Sequence, residues 1–532
     1  FPPMGASSSK IPGCNAVKAA AKYTPGRSSL TRTQTAGPRV QTDPFGPPAM
    51  KEELQPVRAS IKSVPPPEPS AQAISASNAP SPAAQTGLPA EIVIQPGPVN
   101  DGVAKVRISL RTPPGTARVP SDIVCVIDIS GSMGQEAKIM GASGNAESHG
   151  LSLLDVAKHG VRTIVKALNA NDRLAVVAFN NQASDVFPLT AMNEAGQKMA
   201  EKELDGLQSG GGTNIWDGLV AGLNALRAVP ANNRFAHVML LTDGESQNRE
   251  AILPNLEAYK QQHEGLPGTI NTFGFGYQLD SKLLVNMANA GSGAYSFIPD
   301  AGFVGTCFVN MMSQLLVTMA KGVFLTVEKP ENAVLLDPQV HGTWQAEDMK
   351  DFWNIGVGTL QYGQSKDIVM RFKLKKASTE VFAAARYEDV SRKQVDIQGV
   401  TAQVGGPVDE AAMLGVEEQW CRSRYVEVLV HVITQAETSR SQDQTRQGLQ
   451  KVMDLAEEVK SSPAIFLDTT KTLLEDIQGQ SSEALSRHEW YWRWGLHYLP
   501  SVVFAHKLQI CNNFKDPGVQ HYGGDLFRSI RD

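Results

Sequence analysis

A chain of 532 residues exceeds what one compact core usually holds and implies two or three domains. Its 49 Lys and Arg against 54 Asp and Glu leave a net charge of −5, so global charge gives no case for nucleic acid or an anionic membrane as partner. The five cysteines (Cys14, Cys125, Cys307, Cys421, Cys511) form no C-x-x-C pair, which argues against a zinc ribbon, a RING-type finger or a dense disulfide framework. So sparse and odd a set suits a reducing intracellular compartment, most simply the cytoplasm.

Residues 1–88 are rich in Pro, Ser, Ala and Gln, with too little aliphatic surface to offset chain entropy, and read as a disordered arm. Nine Lys/Arg against four Asp/Glu give this arm 9 − 4 = +5, read here as a solvated linker. The chain opens on Phe1 rather than methionine and lacks a charged n-region followed by an apolar core, the expectation for a piece of a longer reading frame. The longest apolar runs, around Ile123–Ile129 and Tyr425–Ile433, fall far short of the ~20 residues a membrane-spanning helix requires.

Two strands, Glu91–Gln95 and Val103–Leu110, are predicted next, joined by a glycine-containing turn. From Asp122 the texture becomes strand–helix alternation. Buried strands are predicted at Ile123–Ile127, Arg173–Phe179, Ala236–Leu241 and Thr269–Gly276, with a weaker one at Ala294–Phe297. Amphipathic helices are predicted at His149–Leu168, Glu194–Leu207, Ile215–Ala228, Glu250–His263, Ser281–Ala290 and Gly302–Met319. That alternation implies an α/β fold, a doubly wound, mostly parallel sheet covered by helices. Together with the strand pair before it, this region is assigned to one domain, residues 89–320. A β-rich segment follows over 321–404, with strands at Gly322–Glu328, Ala333–Leu336, Phe352–Val357, Asp367–Leu374 and Glu380–Tyr387. Helices at Asp409–Thr434, Asp443–Lys460, Phe466–Gln478 and Glu483–Trp494 make 405–532 a helical C-terminal region, so the second half is α+β.

The run Val124–Met133, VCVIDISGSM, carries the most specific chemistry. A parallel sheet places its ligand crevice beyond the carboxyl ends of its strands, and Asp128 closes the first strand with Ser130 and Ser132 in the loop behind it. Two later segments are expected to converge there: GGGTNIWDG, which brings Thr213 on a glycine loop before a helix, and LLTDGES, where Asp243 ends a strand. Hydroxyls and carboxylates are hard oxygen donors suited to Mg²⁺ first, then Mn²⁺ or Ca²⁺, rather than Zn²⁺. A strand-end Asp followed by a helix-capping Ser is common by itself. Three such pieces in this order favour a metal.

Other signals carry less. QSGGGT at Gln208–Thr213 lacks the Gly-Lys-Ser/Thr of a phosphate loop, and the G-x-G at Gly274–Gly276 lacks an acidic ribose partner. Ser132 has no assignable histidine base and no G-x-S-x-G elbow. The inserted loop Gly134–Gly150, with Glu136, Glu147 and His149, lies beside the expected metal face, as a shaper of partner specificity or as plain surface. The C-terminal gathering of Trp490, Tyr491, Trp492, Trp494, Tyr498, Phe504, Phe514 and Tyr522 with His488, His497, His506, His521 and Cys511 matches no zinc spacing and reads as aromatic packing.

The D-x-S-x-S run with Thr213 and Asp243 resembles the metal-ion-dependent adhesion site (MIDAS) of von Willebrand factor A (vWA) domains. Glu147–Val165, Gly211–Leu219 and Leu496–Phe527 are similar to vWA proteins that carry a C-terminal Vwaint (VWA/Hint-associated) domain, and the likeness covers about residues 90–530. The resemblance implies that Ser130, Ser132 and Thr213 are metal ligands, with Asp128 and Asp243 binding directly or through water. It also implies a non-enzymatic module in which a partner protein's Asp or Glu completes the coordination. Relatives in this group can carry a U-box or RING ubiquitin-ligase module, or a Hint domain; neither is visible in this sequence. The alternative readings are the substrate-recruiting part of a ubiquitin ligase or self-processing polyprotein whose catalytic module lies outside the chain, and a secreted protein resembling inter-α-trypsin inhibitor heavy chains.

Overall fold

The computed structural model describes residues 89–140, 146–230, 233–244, 246–336, 344 and 346–532, with 138–140 and 146–149 described in backbone only. The arm expected over 1–88 and the side chains of Glu147 and His149 lie outside the described residues.

The strands run β1 Glu91–Asn100, β2 Val103–Arg111, β3 Ser121–Asp128, β4 Glu136–Met140, β5 Ala146–Ser152, β6 Arg173–Phe179, β7 Ala183–Ala191, β8 Phe235–Thr242, β9 Thr269–Phe275 and β10 Ser292–Ile298. After them come β11 Thr318–Glu328, β12 Ala333–Leu335, β13 Ala346–Asp348, β14 Phe352–Gln361, β15 Ser365–Leu374, β16 Thr379–Glu388 and β17 Gln394–Val404. The helices are α1 Leu153–Ala167, α2 Glu194–Asp205, α3 Ile215–Arg227, α4 Arg249–Gln262, α5 Ser281–Ala290, α6 Ala301–Leu316, α7 Glu410–Thr438, α8 Gln442–Lys460 and α9 Asp468–Asp476. Beyond these lie α10 Ser482–Ser486, α11 His488–Trp490, α12 Leu496–Leu508 and α13 Asp525–Arg531.

Every residue of β3, β8 and β9 is buried, the continuous apolar signature of central parallel strands. They sit in a six-stranded sheet of order β10-β9-β8-β3-β6-β7. The chain leaves β3 toward β6 and later returns to β8 on the other side, so the order reverses between β3 and β8. That switch point opens a crevice at the carboxyl ends of the two strands. Helix α3 lies close over the sheet because Gly222 has no side chain; a Cβ there would fall 2.5 Å from Val126 Cγ2. The edge strand β7 pairs antiparallel with β6, so the sheet is mixed. Its half-exposed residues carry little apolar signal, and the sequence reading has no strand there.

The strand pair β1–β2, assigned from chain order to the α/β domain, belongs elsewhere. β2 pairs antiparallel with β15 in register Ile108↔Ile368 and Val106↔Met370, forming the sheet β1-β2-β15-β12. A second sheet, β13-β14-β11-β16-β17, shares one hydrophobic core with it: Val106, Ile108 and Phe372 from the first, Val323, Leu325, Ile355 and Val381 from the second. The α/β domain is therefore inserted between β2 and β11 of a β-sandwich. Pairing across more than two hundred residues leaves no local trace in the sequence, which explains the misplaced boundary.

Smaller differences have local causes. The expected start of the first helix, 149–152, is extended backbone. Segment 146–152 forms the ribbon β4–β5, and Ser152 then caps α1 in a capping box, its hydroxyl accepting from Asp155 N at 3.1 Å. Helix α6 stops at Leu316 rather than Met319 because Thr318 already pairs with Gln361 in the sandwich.

The C-terminal helices form a third core around Tyr425, Val426, Leu429, Val452, Ile477 and Leu499. The aromatic cluster there packs into the core in part, with Phe514 left 48% exposed. Tyr491 and Phe504 are buried, the Tyr498 hydroxyl donates to Asp516 at 2.8 Å, and His506 lies between Tyr522 (2.8 Å) and Asp476 (3.1 Å). Segment 496–512 binds the three parts together. Phe504 and Ile510 enter the α/β core, and Gln509 accepts from Asp367 N of the sandwich. His497 Nε2 donates to the Tyr277 carbonyl at 3.2 Å, which leaves Nδ1 to accept from the Ser281 hydroxyl at the start of α5. Both side chains are buried, so this pair ties α12 to α5 rather than presenting a nucleophile.

Candidate metal centre

Asp128 ends β3 at the switch point and is fully buried. One of its oxygens accepts from Ser130 N at 2.8 Å and the other from Thr242 Oγ1 at 2.5 Å, so the carboxylate fixes both the following loop and the end of β8. The hydroxyls of Ser130 and Ser132 are 3.0 Å apart, and Ser132 Oγ donates to Asp243 Oδ1 at 3.0 Å. These contacts chain the first and third sequence segments into one cluster.

Thr213 arrives on the glycine loop, which is laced to the first loop by its backbone: Gly131 N donates to Gly211 O at 3.0 Å and Gly210 N to Ile129 O at 2.7 Å. Gly211 has φ +86°, a conformation that glycine adopts without strain. Gln247 N holds the Thr213 carbonyl at 2.9 Å. A Cβ on Gly244 would stand 3.7 Å from both Ser132 Oγ and Thr213 Oγ1, so the two hydroxyls flank the same point at the end of β8. The structure thus brings together Asp128, Ser130, Ser132, Thr213 and Asp243, the residues singled out from the sequence.

Electrostatics at this cluster favour a cation. Burial first, and then the charge of Asp128, push the Asp243 carboxyl up to about 6, against the opposing Ser132 hydrogen bond. Burial also raises Asp128, against bonds from Thr242 and Ser130. Two buried carboxylates with hydroxyls around them and, among the described residues, no cationic side chain bonded to either form a donor set suited to a hard divalent ion. Among the described residues no three His, Cys, Asp or Glu side chains group as a zinc site would need. The residues present therefore fit Mg²⁺ or a similar ion.

Sequence reasoning missed the supporting contacts. Thr242 lies just past the predicted strand Ala236–Leu241 and has no role in the sequence reading, yet its hydroxyl bond to Asp128 adds a side-chain tie at the carboxyl ends of the paired strands β8 and β3. Asn180 Nδ2 holds the Gly210 carbonyl at 2.9 Å, and Asn181 Oδ1 accepts from Gly212 N at 2.8 Å. Their position just beyond β6, at the same sheet edge, is the signal that could have found them.

The centre is open on one side. Ser132, Thr213 and Asp243 line a cleft of about 1270 Å³ whose other wall comes from α7 and the segment 491–507.

Comparison with known proteins gives two family matches, the von Willebrand factor type A domain over residues 122–306 and the Vwaint family, described as VWA / Hh protein intein-like, over 468–532. The protein named E3 ubiquitin-protein ligase WAV3 from Arabidopsis thaliana is 29% identical over 164 residues, which is 30% of this chain and 20% of that one. Inter-alpha-trypsin inhibitor heavy chain H3 from Pongo abelii is 25% identical over 229 residues, 42% of this chain and 24% of that one. The chain therefore spans only about a fifth to a quarter of these two relatives. Among solved structures, von Willebrand factor type A from Catenulispora acidiphila superposes with a TM-score of 0.55 at 17% identity, covering 74% of this chain and 91% of that one. That likeness is one of fold.

Proposed function

We propose that this chain, which carries a vWA domain over residues 122–306 and a Vwaint region over 468–532, is a divalent-cation-dependent protein-interaction module without catalytic activity of its own. The observation that carries the reading is the convergence of five oxygen-bearing side chains from three separated segments around two mutually repelling carboxylates. Ser130, Ser132, Thr213 and Asp243 would hold the ion, and Asp128 would ligate or orient the loop. The ion supplies positive charge at the surface of the cleft, where a partner's Asp or Glu completes its coordination. Mg²⁺ is the first choice, with Mn²⁺ and Ca²⁺ compatible with the same donors.

The four described cysteines, Cys125, Cys307, Cys421 and Cys511, are all unpaired and buried, which supports an intracellular setting. No described helix is long and apolar enough to cross a membrane. A second reading rests on the relative named E3 ubiquitin-protein ligase WAV3, from Arabidopsis thaliana: the module would recruit substrates for a ligase whose catalytic part lies outside this chain. Thermal melts of the full chain in Mg²⁺ and in EDTA test the first reading. A higher melting temperature in Mg²⁺ that disappears in Asp243→Ala supports it, and identical melts in both buffers refute it.

A further inference from the structure

The cleft beside the metal centre has two walls of different origin. The vWA domain contributes the strand ends and α5. The C-terminal helices contribute a stripe of α7 at helical spacing that includes Val430, Ile433 and Glu437, and one face of α12 that includes Pro500, Val503 and Lys507. Its volume of about 1270 Å³ exceeds the roughly 300–1,000 Å³ usual for small-molecule sites, so a stretch of polypeptide fits it better than a metabolite.

Charge pairing in the cleft leaves a remainder. Arg249 is matched by Asp280 at 2.9 Å, and Lys282 of α5 is matched across the gap by Glu437 of α7. Arg440 and Lys507 have no carboxylate partner among the described residues. Arg440 rests on the face of Trp492, 5.0 Å from its centroid, and Lys507 lies 5.6 Å from the Trp344 ring. Burial depresses the Lys507 ammonium to about 8. Two cations that line a cleft without a carboxylate partner among the described residues suit an anion from outside. The Trp492 indole nitrogen, on the same wall, is buried and also lacks a hydrogen-bond acceptor.

We propose that the cleft takes up one extended acidic segment of a partner protein, whose leading carboxylate reaches the ion at Ser132, Thr213 and Asp243 while its further acidic side chains meet Arg440 and Lys507. The inference rests on the metal reading above and extends it: the C-terminal region is the second half of the partner site, and it selects for more than one acid. A nucleic-acid strand could meet the same two cations, but the apolar stripe Val430–Ile433 and the pairing of the cleft's Arg249 and Lys282 with carboxylates favour polypeptide.

Fluorescence anisotropy of a fluorescein-labelled deca-glutamate peptide with the full chain tests it, with an oligothymidylate of equal charge as competitor. Saturable binding is expected in Mg²⁺, lost in EDTA and in Asp243→Ala. Arg440→Glu with Lys507→Glu should weaken it at least about tenfold, because like charges then face the peptide. Lys198→Glu, on the exposed surface of α2 away from the cleft, should leave it unchanged. The charge-reversed protein must keep the wild-type melting increment in Mg²⁺; if it misfolds, Arg440→Gln with Lys507→Gln replaces it. Metal-dependent binding that ignores both substitutions overturns the cleft proposal and leaves the metal reading standing. Peptide binding that is equal in Mg²⁺ and EDTA overturns both. Oligothymidylate bound as tightly as the peptide overturns the choice of a polypeptide partner.

Discussion

Replacing Asp243 with asparagine should stabilise the metal-free protein while abolishing its response to metal. In the folded chain the Asp243 carboxyl titrates near 6 instead of 3.8, mainly through burial and then through repulsion by Asp128. A carboxyl whose folded value is raised adds stability that is fully present below 3.8 and is lost as the pH climbs through 6. The shift corresponds to about 3 kcal/mol lost above pH 6 when no cation is present. Asparagine keeps the shape and an acceptor for Ser132 but carries no charge, so in EDTA at neutral pH the variant should gain up to about 3 kcal/mol over the wild type. At a hundredfold excess over its dissociation constant, Mg²⁺ should return about 2.7 kcal/mol to the wild type and close to nothing to the variant. Urea unfolding followed from acid to neutral pH, in EDTA and in Mg²⁺, reads both effects. An asparagine variant that is less stable than wild type in EDTA, or that gains as much from Mg²⁺, refutes the reasoning.

Thr242→Val removes the hydroxyl that Asp128 Oδ2 accepts from and leaves a buried carboxylate oxygen unpaired, a cost of about 1–3 kcal/mol; chemical denaturation should show that loss together with weaker Mg²⁺ binding by calorimetry. Gly222→Ala drives a methyl to 2.5 Å from Val126 and should lift α3 from the sheet at a cost of about 1–3 kcal/mol, lowering the melting temperature in Mg²⁺ and in EDTA alike. Acid should loosen the attachment of α12 to α5: burial holds His497 down to about 4 against 6.5, so the stability it contributes is present above 6.5 and lost as pH falls through 4. His497→Gln should flatten that part of the pH profile. The flattening will be incomplete, because His237, held down to about 3 by burial and then Lys321, titrates over the same range.

The sequence made some layers legible and hid others for physical reasons. Buried parallel strands are continuous apolar runs, so β3, β6, β8 and β9 stand out, and the residues at and just past their carboxyl ends map to one crevice from the sequence pattern alone. Asp128, Ser130, Ser132, Thr213 and Asp243 are found side by side there. Contacts that depend on tertiary pairing were not legible. Nothing in β1 or β2 announces that its neighbour is β15, and half-exposed β7 lacks a periodic signal. Phe504 and Ile510 look like ordinary helical and loop residues until they are seen inside the α/β core. The same blindness hid the cleft, because strands β11 to β17 lie between its two walls in sequence.

If Asp243 and its neighbours hold a divalent ion, calorimetric titration of Mg²⁺ into the EDTA-stripped, dialysed full chain will register it. One saturable site is expected in the wild type and none in Asp243→Ala, with both proteins giving the same circular dichroism spectrum. Absence of any site in the wild type, or an undiminished site in Asp243→Ala, contradicts it.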